Sequence, residues 1–294
     1  MTKTQGGGYI RTGIEMDDTQ IHLVDSHLHL QDPVFEPDFP QVLERARQSR
    51  VRVMICNATS EKDWQRVRVL SEQHPEIVPC FGIHPWYLRH RSEGWENRLR
   101  ALLESTPAGI GEVGLDRWYK EGNEAEQELV FRRQLAIARE LHRPVMVHCL
   151  KAWGWLLDVL DDIEFLPAGF LLHAYSGPAE LIGPLSAKGA FFSFAGNVLD
   201  ERKVRMRNAL VSVPADRLLL ETDSPDLAPP EGFRVPARPG SSGRYRNEPA
   251  NLSATLPAIA ALRGETSAQL ARNAWENACR FLASIPGLNL ASSS

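Results

Sequence analysis

Eight short apolar runs, rich in β-branched and aromatic residues, recur along the chain at residues 21–25, 51–57, 77–82, 108–114, 144–148, 168–173, 189–195 and 217–223. Between most of them lie amphipathic stretches with helical spacing, at 39–49, 61–74, 124–142, 153–161, 179–188 and 199–211. Runs such as 53–56 and 218–220 are continuously hydrophobic, the pattern of parallel strands buried on both faces. Eight βα units of this kind predict an α/β chain folded as a single-domain (β/α)8 TIM barrel, for which 294 residues is ample length. An open doubly wound sheet is the rival, but it would bring a glycine-rich phosphate loop after a strand, and no GxGxxG or GxxxxGK[ST] occurs.

The rest of the chain fits around that barrel. Residues 1–20, ending at Gln20, contain a triple glycine and no apolar stretch, so a loose tail is expected there and not a secretion leader. The barrel domain is expected over 21–285, with a short tail at 286–294. Residues 228–246 are rich in Pro, Gly, Arg and Ser and read as a long loop after the eighth strand. Two helices beginning near 251 and 267 would close the outer ring. No window approaches the ~18 apolar residues of a membrane span. The four cysteines are scattered and form no CxxC, which fits a reducing cytoplasm. The net charge of −4 excludes a polycation that wraps nucleic acid, so an anionic substrate must be met locally. A monomer is the favoured assembly.

The nine histidines are not scattered. His27, His29, His148 and His173 stand at the ends of expected strands, His84 follows another, and Glu112 and Asp223 end two more. In a barrel, strand C-termini form the face on which active sites are built. His27 and His29, two apart on extended backbone, point to one side and suit one cation. Each residue taken singly has an ordinary reading: a satisfied core histidine, a turn glutamate, or for Asp223 an Asx-type turn ahead of Pro225. Their common placement favours a metal site.

The motifs DSHLH (25–29), GIHPW (82–86), GEVGLD (111–116), HCLK (148–151), HAYSG (173–177), ETDSP (221–225) and RNEP (246–249), in this order, resemble the TatD family of metal-dependent hydrolases over about residues 21–280. The resemblance implies two divalent cations and phosphodiester hydrolysis on DNA, often as a 3′-to-5′ exonuclease. By motif, His27, His29, Glu112 and Asp223 would hold one metal, and Glu112, His148 and His173 the second, with Glu112 bridging. His84 would contact the scissile phosphate, Glu221 would bind a further cation or orient the site, and Asn247 and Glu248 would buttress it. Asp223 would also position or deprotonate the attacking water, with no covalent intermediate. The imidazole-rich ligand set suits Zn, Mn, Fe or Ni better than Mg, although Mg in excess can support activity.

Substrate contacts depart from the family pattern. Where the family commonly has an arginine two positions after the fifth-strand histidine, this chain has Leu150, followed by Lys151. Arg234, Arg238, Arg244 and Arg246 are candidates to supply phosphate contacts instead, or else form a solvated charged loop. Trp86 and Tyr87 either stack on a base or pack at the rim. Two alternatives to a deoxyribonuclease remain: a hydrolase of a small phosphoester, amide or lactone using the same metals, and a metal-binding interaction protein without catalysis.

Overall fold

In the computed structural model, which describes residues 22–119, 121–163, 165–236, 245–288 and 290, each of the eight apolar runs is a strand. They are β1 Leu23–Leu28, β2 Val51–Asn57, β3 Ile77–Phe81, β4 Gly109–Asp116, β5 Val145–Leu150, β6 Phe170–Leu172, β7 Ala190–Ala195 and β8 Leu218–Glu221. All neighbours pair in parallel and in sequence order from β1 to β8. The ring is drawn shut just past β8, where the Asp223 N–H donates to His27 O at 2.9 Å and the His29 N–H to Ser224 O at 2.8 Å. The result is the (β/α)8 barrel that the alternation predicts. The tail at 1–20 and the arginines Arg238 and Arg244 lie outside the described residues.

The amphipathic stretches form α1 Phe39–Gln48, α2 Glu61–Gln73, α3 Trp95–Ser105, α4 Glu124–Leu141, α5 Trp153–Asp162, α6 Ile182–Ala187 and α7 Val204–Ser212. The closing helices are α8 Asn251–Arg263 and α9 Ser267–Leu282. Helix α3 is not among the stretches singled out from sequence, yet Trp95, Leu99 and Leu103 recur every fourth residue and are its buried face. Helix α7 starts five residues later than 199, because Gly196–Leu199 is a 3₁₀ turn. In that connection the Arg202 N–H donates to the Asp200 carboxylate.

Two apolar sets alternate along the strands, as period-two side chains must. Val145 and Val147, Phe170 and Leu172, and Leu218 and Leu220 belong to the larger cluster shared with the helices. Val24, Met146, Leu171, Phe191 and Leu219 form the barrel interior together with Phe281, Leu282 and Ile285 at the end of α9. Leu288 and Leu290, in the segment expected as a C-terminal tail, pack against this inner cluster, so the packed chain runs past 285. The same inward parity delivers His148, His173 and Glu221 to the barrel axis. Strands β1 and β4 reach it differently. Each carries a register shift, between Asp25 and Leu28 and between Ile110 and Val113. One slipped residue exchanges the faces of a strand, and His27 and Glu112 face inward because of it.

Candidate metal centre

Glu112 is the middle of the site. Glycines flank it because the backbone is crowded there: a Cβ on Gly111 would stand 2.6 Å from Asn57 Oδ1, and one on Gly114 1.9 Å from His148 O. Its two carboxylate oxygens face different imidazoles. Oε2 lies 3.3 Å from His27 Nε2 and 3.3 Å from His29 Nε2, and both nitrogens are 3.6 Å from Asp223 Oδ1. Oε1 lies 2.9 Å from His173 Nε2, 3.0 Å from His148 Nδ1 and 3.3 Å from His84 Nε2. All six residues expected to bind metal therefore converge, in two groups that share one carboxylate.

The first group has the dimensions of a coordination shell. Nitrogen and oxygen donors about 2.0–2.1 Å from a tetrahedral ion stand about 3.3–3.4 Å apart, close to the spacings seen. The tautomers agree. His29 Nδ1 donates to Asn57 O at 2.8 Å, which leaves Nε2 bare toward the group. His27, wholly buried, has neither ring nitrogen hydrogen-bonded, and a buried imidazole nitrogen aimed at two carboxylates is an orphan that a cation would satisfy.

In the second group, His148 Nε2 donates to Asp116 Oδ2 at 3.0 Å and presents Nδ1 to Glu112. Carboxylate support of this kind fixes ring orientation and raises ligand basicity. Asp116 was not singled out from sequence. The signal was its even spacing from Glu112 on one strand face. It also accepts Trp86 Nε1–H at 2.7 Å and the Trp118 N–H at 2.6 Å, so one carboxylate fixes a candidate ligand and the adjoining aromatic wall. Asp116→Ala is expected to lower metal affinity about 10–100-fold, read by competition with a chelating indicator. Unchanged affinity would mean that His148 keeps its tautomer unaided.

His84 differs from the six candidate ligands. Its Nδ1 accepts the Trp86 N–H at 3.2 Å, so the neutral ring carries its proton on Nε2 and offers a donor to the site. Burial lowers its pKa to about 4, which keeps the ring neutral. His27 also falls to about 4 through burial and the neighbouring His173. Burial opposes charge on His148 and His29 as well. Where a proton rather than a cation faces the carboxylates, hydrogen bonds from His148 to Asp116 and Glu112 lift it to about 9, and those from His29 to Asp223 and Glu112 lift it well above the usual imidazole range; a bound cation would take the place of that second proton and leave the neutral tautomers described above.

Glu221 sits behind His173, its Oε1 4.0 Å from His173 Nδ1. Its two oxygens accept the Ala174 N–H and the Ser193 hydroxyl. Burial and the nearby Asp223 charge raise its pKa well above the carboxylate range. Asp223 itself lies two residues beyond β8 with φ +54°, a left-handed backbone. Asn247 braces that turn by donating to Thr222 O and Asp226 O, both at 2.7 Å. Glu248 is a step further out, paired through both oxygens with Arg45 at 2.7 Å.

The expected arginine contact at Arg246 is corrected by the structure. Its buried guanidinium is committed to Asp38 at 2.7 and 2.9 Å, donates to Val34 O and lies over the Phe35 ring. Arg234 donates to Pro229 O and covers Tyr245. Above the two groups opens a cavity of about 640 Å³, lined among others by Trp86, Tyr87, Trp118, Leu150 and Lys203.

The family model for TatD related DNase matches residues 24–283. This chain belongs to the TatD family. Among its TatD relatives, the 3′-5′ ssDNA/RNA exonuclease TatD of Cronobacter sakazakii is 35% identical over 266 residues, covering 88% of this chain and 97% of that protein. The Dickeya dadantii exonuclease of the same name is 34% identical over 267 residues, with 88% and 97% covered. The crystal structure of a TatD homologue from Escherichia coli K12 superposes with a TM-score of 0.79 at 26% identity, over 89% of this chain and 98% of the other. The protein is thus an enzyme acting on ester bonds, a hydrolase of the metal-dependent TatD type. No helix among the described residues is long and apolar enough to cross a membrane.

Proposed function

We propose that this TatD enzyme is a 3′-to-5′ exonuclease of single-stranded nucleic acid, DNA foremost, working with two divalent ions. The observation that carries this reading is Glu112, one carboxylate serving two imidazole clusters at the floor of an open cavity. The first ion would be held by His27, His29, Glu112 and Asp223, the second by Glu112, His148 and His173. Two such ions supply Lewis acidity at both ends of an in-line phosphoryl displacement and acidify water.

The protein's own groups do the rest. His84 Nε2–H donates to a non-bridging phosphoryl oxygen as charge grows on it. Asp223, the more exposed of the two acidic ligands, orients the attacking water and takes its proton. Glu221 holds the backbone just after His173 through the Ala174 N–H, and Asn247 positions Asp223. The donor set favours Zn, Mn, Fe or Ni over Mg. Four free cysteines fit a reducing cytoplasm.

The test is release of mononucleotides from 3′-labelled single-stranded DNA by metal-loaded protein. Loss of the 3′ label in the first products supports the reading, and label retained while the other end shortens overturns the direction. A second reading is a hydrolase of a small phosphoester, amide or lactone. It is favoured by Leu150 in the cavity wall and by the absence of arginine from the described lining. A substrate panel in which only small esters or amides turn over would select it.

A further inference from the structure

Among the side chains that line the cavity outside the cage and its supports, two stand out by their chemistry. Lys203 lines it at the start of α7, half-buried, with no carboxylate in ion-pairing distance among the described residues; its neighbour Asp200 is taken by Arg202. Trp118 lines it after β4 and is 53% exposed. Its backbone is pinned to Asp116, while its ring meets Trp86 at a centroid distance of 6.4 Å and otherwise faces the opening.

Strand order sets their relation. Trp86 follows β3, Trp118 follows β4 and Lys203 follows β7, so the aromatic wall and the ammonium stand about half a turn apart around an eight-stranded ring, with Glu112 and its imidazoles between them. An unpaired cation facing a cavity recruits anions. A large exposed aromatic face beside a reaction centre marks a surface that a flat apolar ligand covers. A nucleic-acid strand offers both at once, a phosphate and a base, and only an unpaired base has a free face to stack.

We propose that Lys203 and Trp118 form the two ends of a substrate track across the cage, the ammonium taking a backbone phosphate and the indole stacking on an unpaired base of the same strand. Trp86, anchored through Nε1 to Asp116, backs the indole. The track rests on the nuclease reading and gives it a polarity across the barrel mouth: charge is read on the β7 side and bases on the β3–β4 side. It also accounts for substrate binding without an arginine at position 150.

The two ends have different signatures in binding. Affinity of the metal-loaded protein for a phosphorothioate oligothymidylate, which resists cleavage, is measured by fluorescence anisotropy across a salt series. Lys203→Gln is expected to weaken binding several-fold and to flatten the slope of log affinity against log salt by about 0.7, the share of one phosphate contact on a single strand. Trp118→Ala is expected to weaken binding about tenfold with the slope unchanged. Lys203→Arg should keep the slope, and Trp118→Phe most of the affinity, which separates these roles from misfolding. A wild-type slope in Lys203→Gln, or wild-type affinity in Trp118→Ala, overturns the track. If the wild type degrades single strands while neither variant binds differently, the track alone falls. If the wild type neither binds nor cleaves them, the nuclease reading falls with it.

Discussion

Glu112→Ala is expected to abolish stable binding of both ions and to cut hydrolysis at least about a thousandfold, roughly 4 kcal/mol of transition-state stabilisation. The size follows from the sharing. Removing an ordinary ligand leaves its neighbours to hold the ion, but each oxygen of Glu112 belongs to a different group. Without it, the second group is reduced to imidazoles, with His148 Nδ1 and His173 Nε2 3.4 Å apart and no carboxylate between them. The first keeps only Asp223 against His27 and His29. Glu112→Gln preserves shape and one acceptor oxygen, so it should retain more metal than the alanine variant while still losing most activity. Elemental analysis after gel filtration, with turnover on the same samples, makes the comparison. Two ions retained by Glu112→Ala would show that the carboxylate does not bridge.

The barrel was legible because its strands are buried on both faces and therefore read as plain apolar runs, several of them ending on a chemically distinctive residue. Hydrophobic pattern locates such strands without any knowledge of pairing. The candidate ligands were legible for the same reason: His148 and His173 are the polar termini of apolar strands.

What sequence did not carry was how the candidate ligands are aimed. His27 and Glu112 face the axis only because β1 and β4 slip register, and a slip is a property of two paired strands. Asp116 was hidden because an acidic residue at a strand end looks like a turn residue until His148 is seen against it. Arg246 misled in the opposite sense. An arginine beside the site motif suggests a phosphate contact, but Asp38, 208 residues earlier, claims it, and only the fold brings that partner near. Lys203 and Trp118 were equally unreadable, since each gains meaning from its place around the ring.

Asp223→Asn is expected to lower kcat about a hundredfold to ten-thousandfold, the range for losing a positioned general base, while leaving at least about one ion bound. The substitution isolates proton transfer. Asparagine tolerates the left-handed backbone that Asp223 adopts at φ +54°, so the turn held by the Asp223 N–H on His27 O and by Asn247 should survive. It also keeps an oxygen to face His27 and His29, yet it cannot take a proton. Asp223 touches the first group alone, whereas Glu112, His148 and His173 are unaltered, so the second ion has no reason to leave. The two variants therefore predict different stoichiometries for similarly severe losses of rate: both ions go with Glu112, and no more than the first with Asp223. If Asp223→Asn kept more than about a tenth of wild-type kcat with full metal content, proton acceptance would have to be reassigned. His84, which also faces the cage, offers a proton on Nε2 and no lone pair there, so the base would then have to be sought among the other carboxylates that line the cavity, such as Asp226.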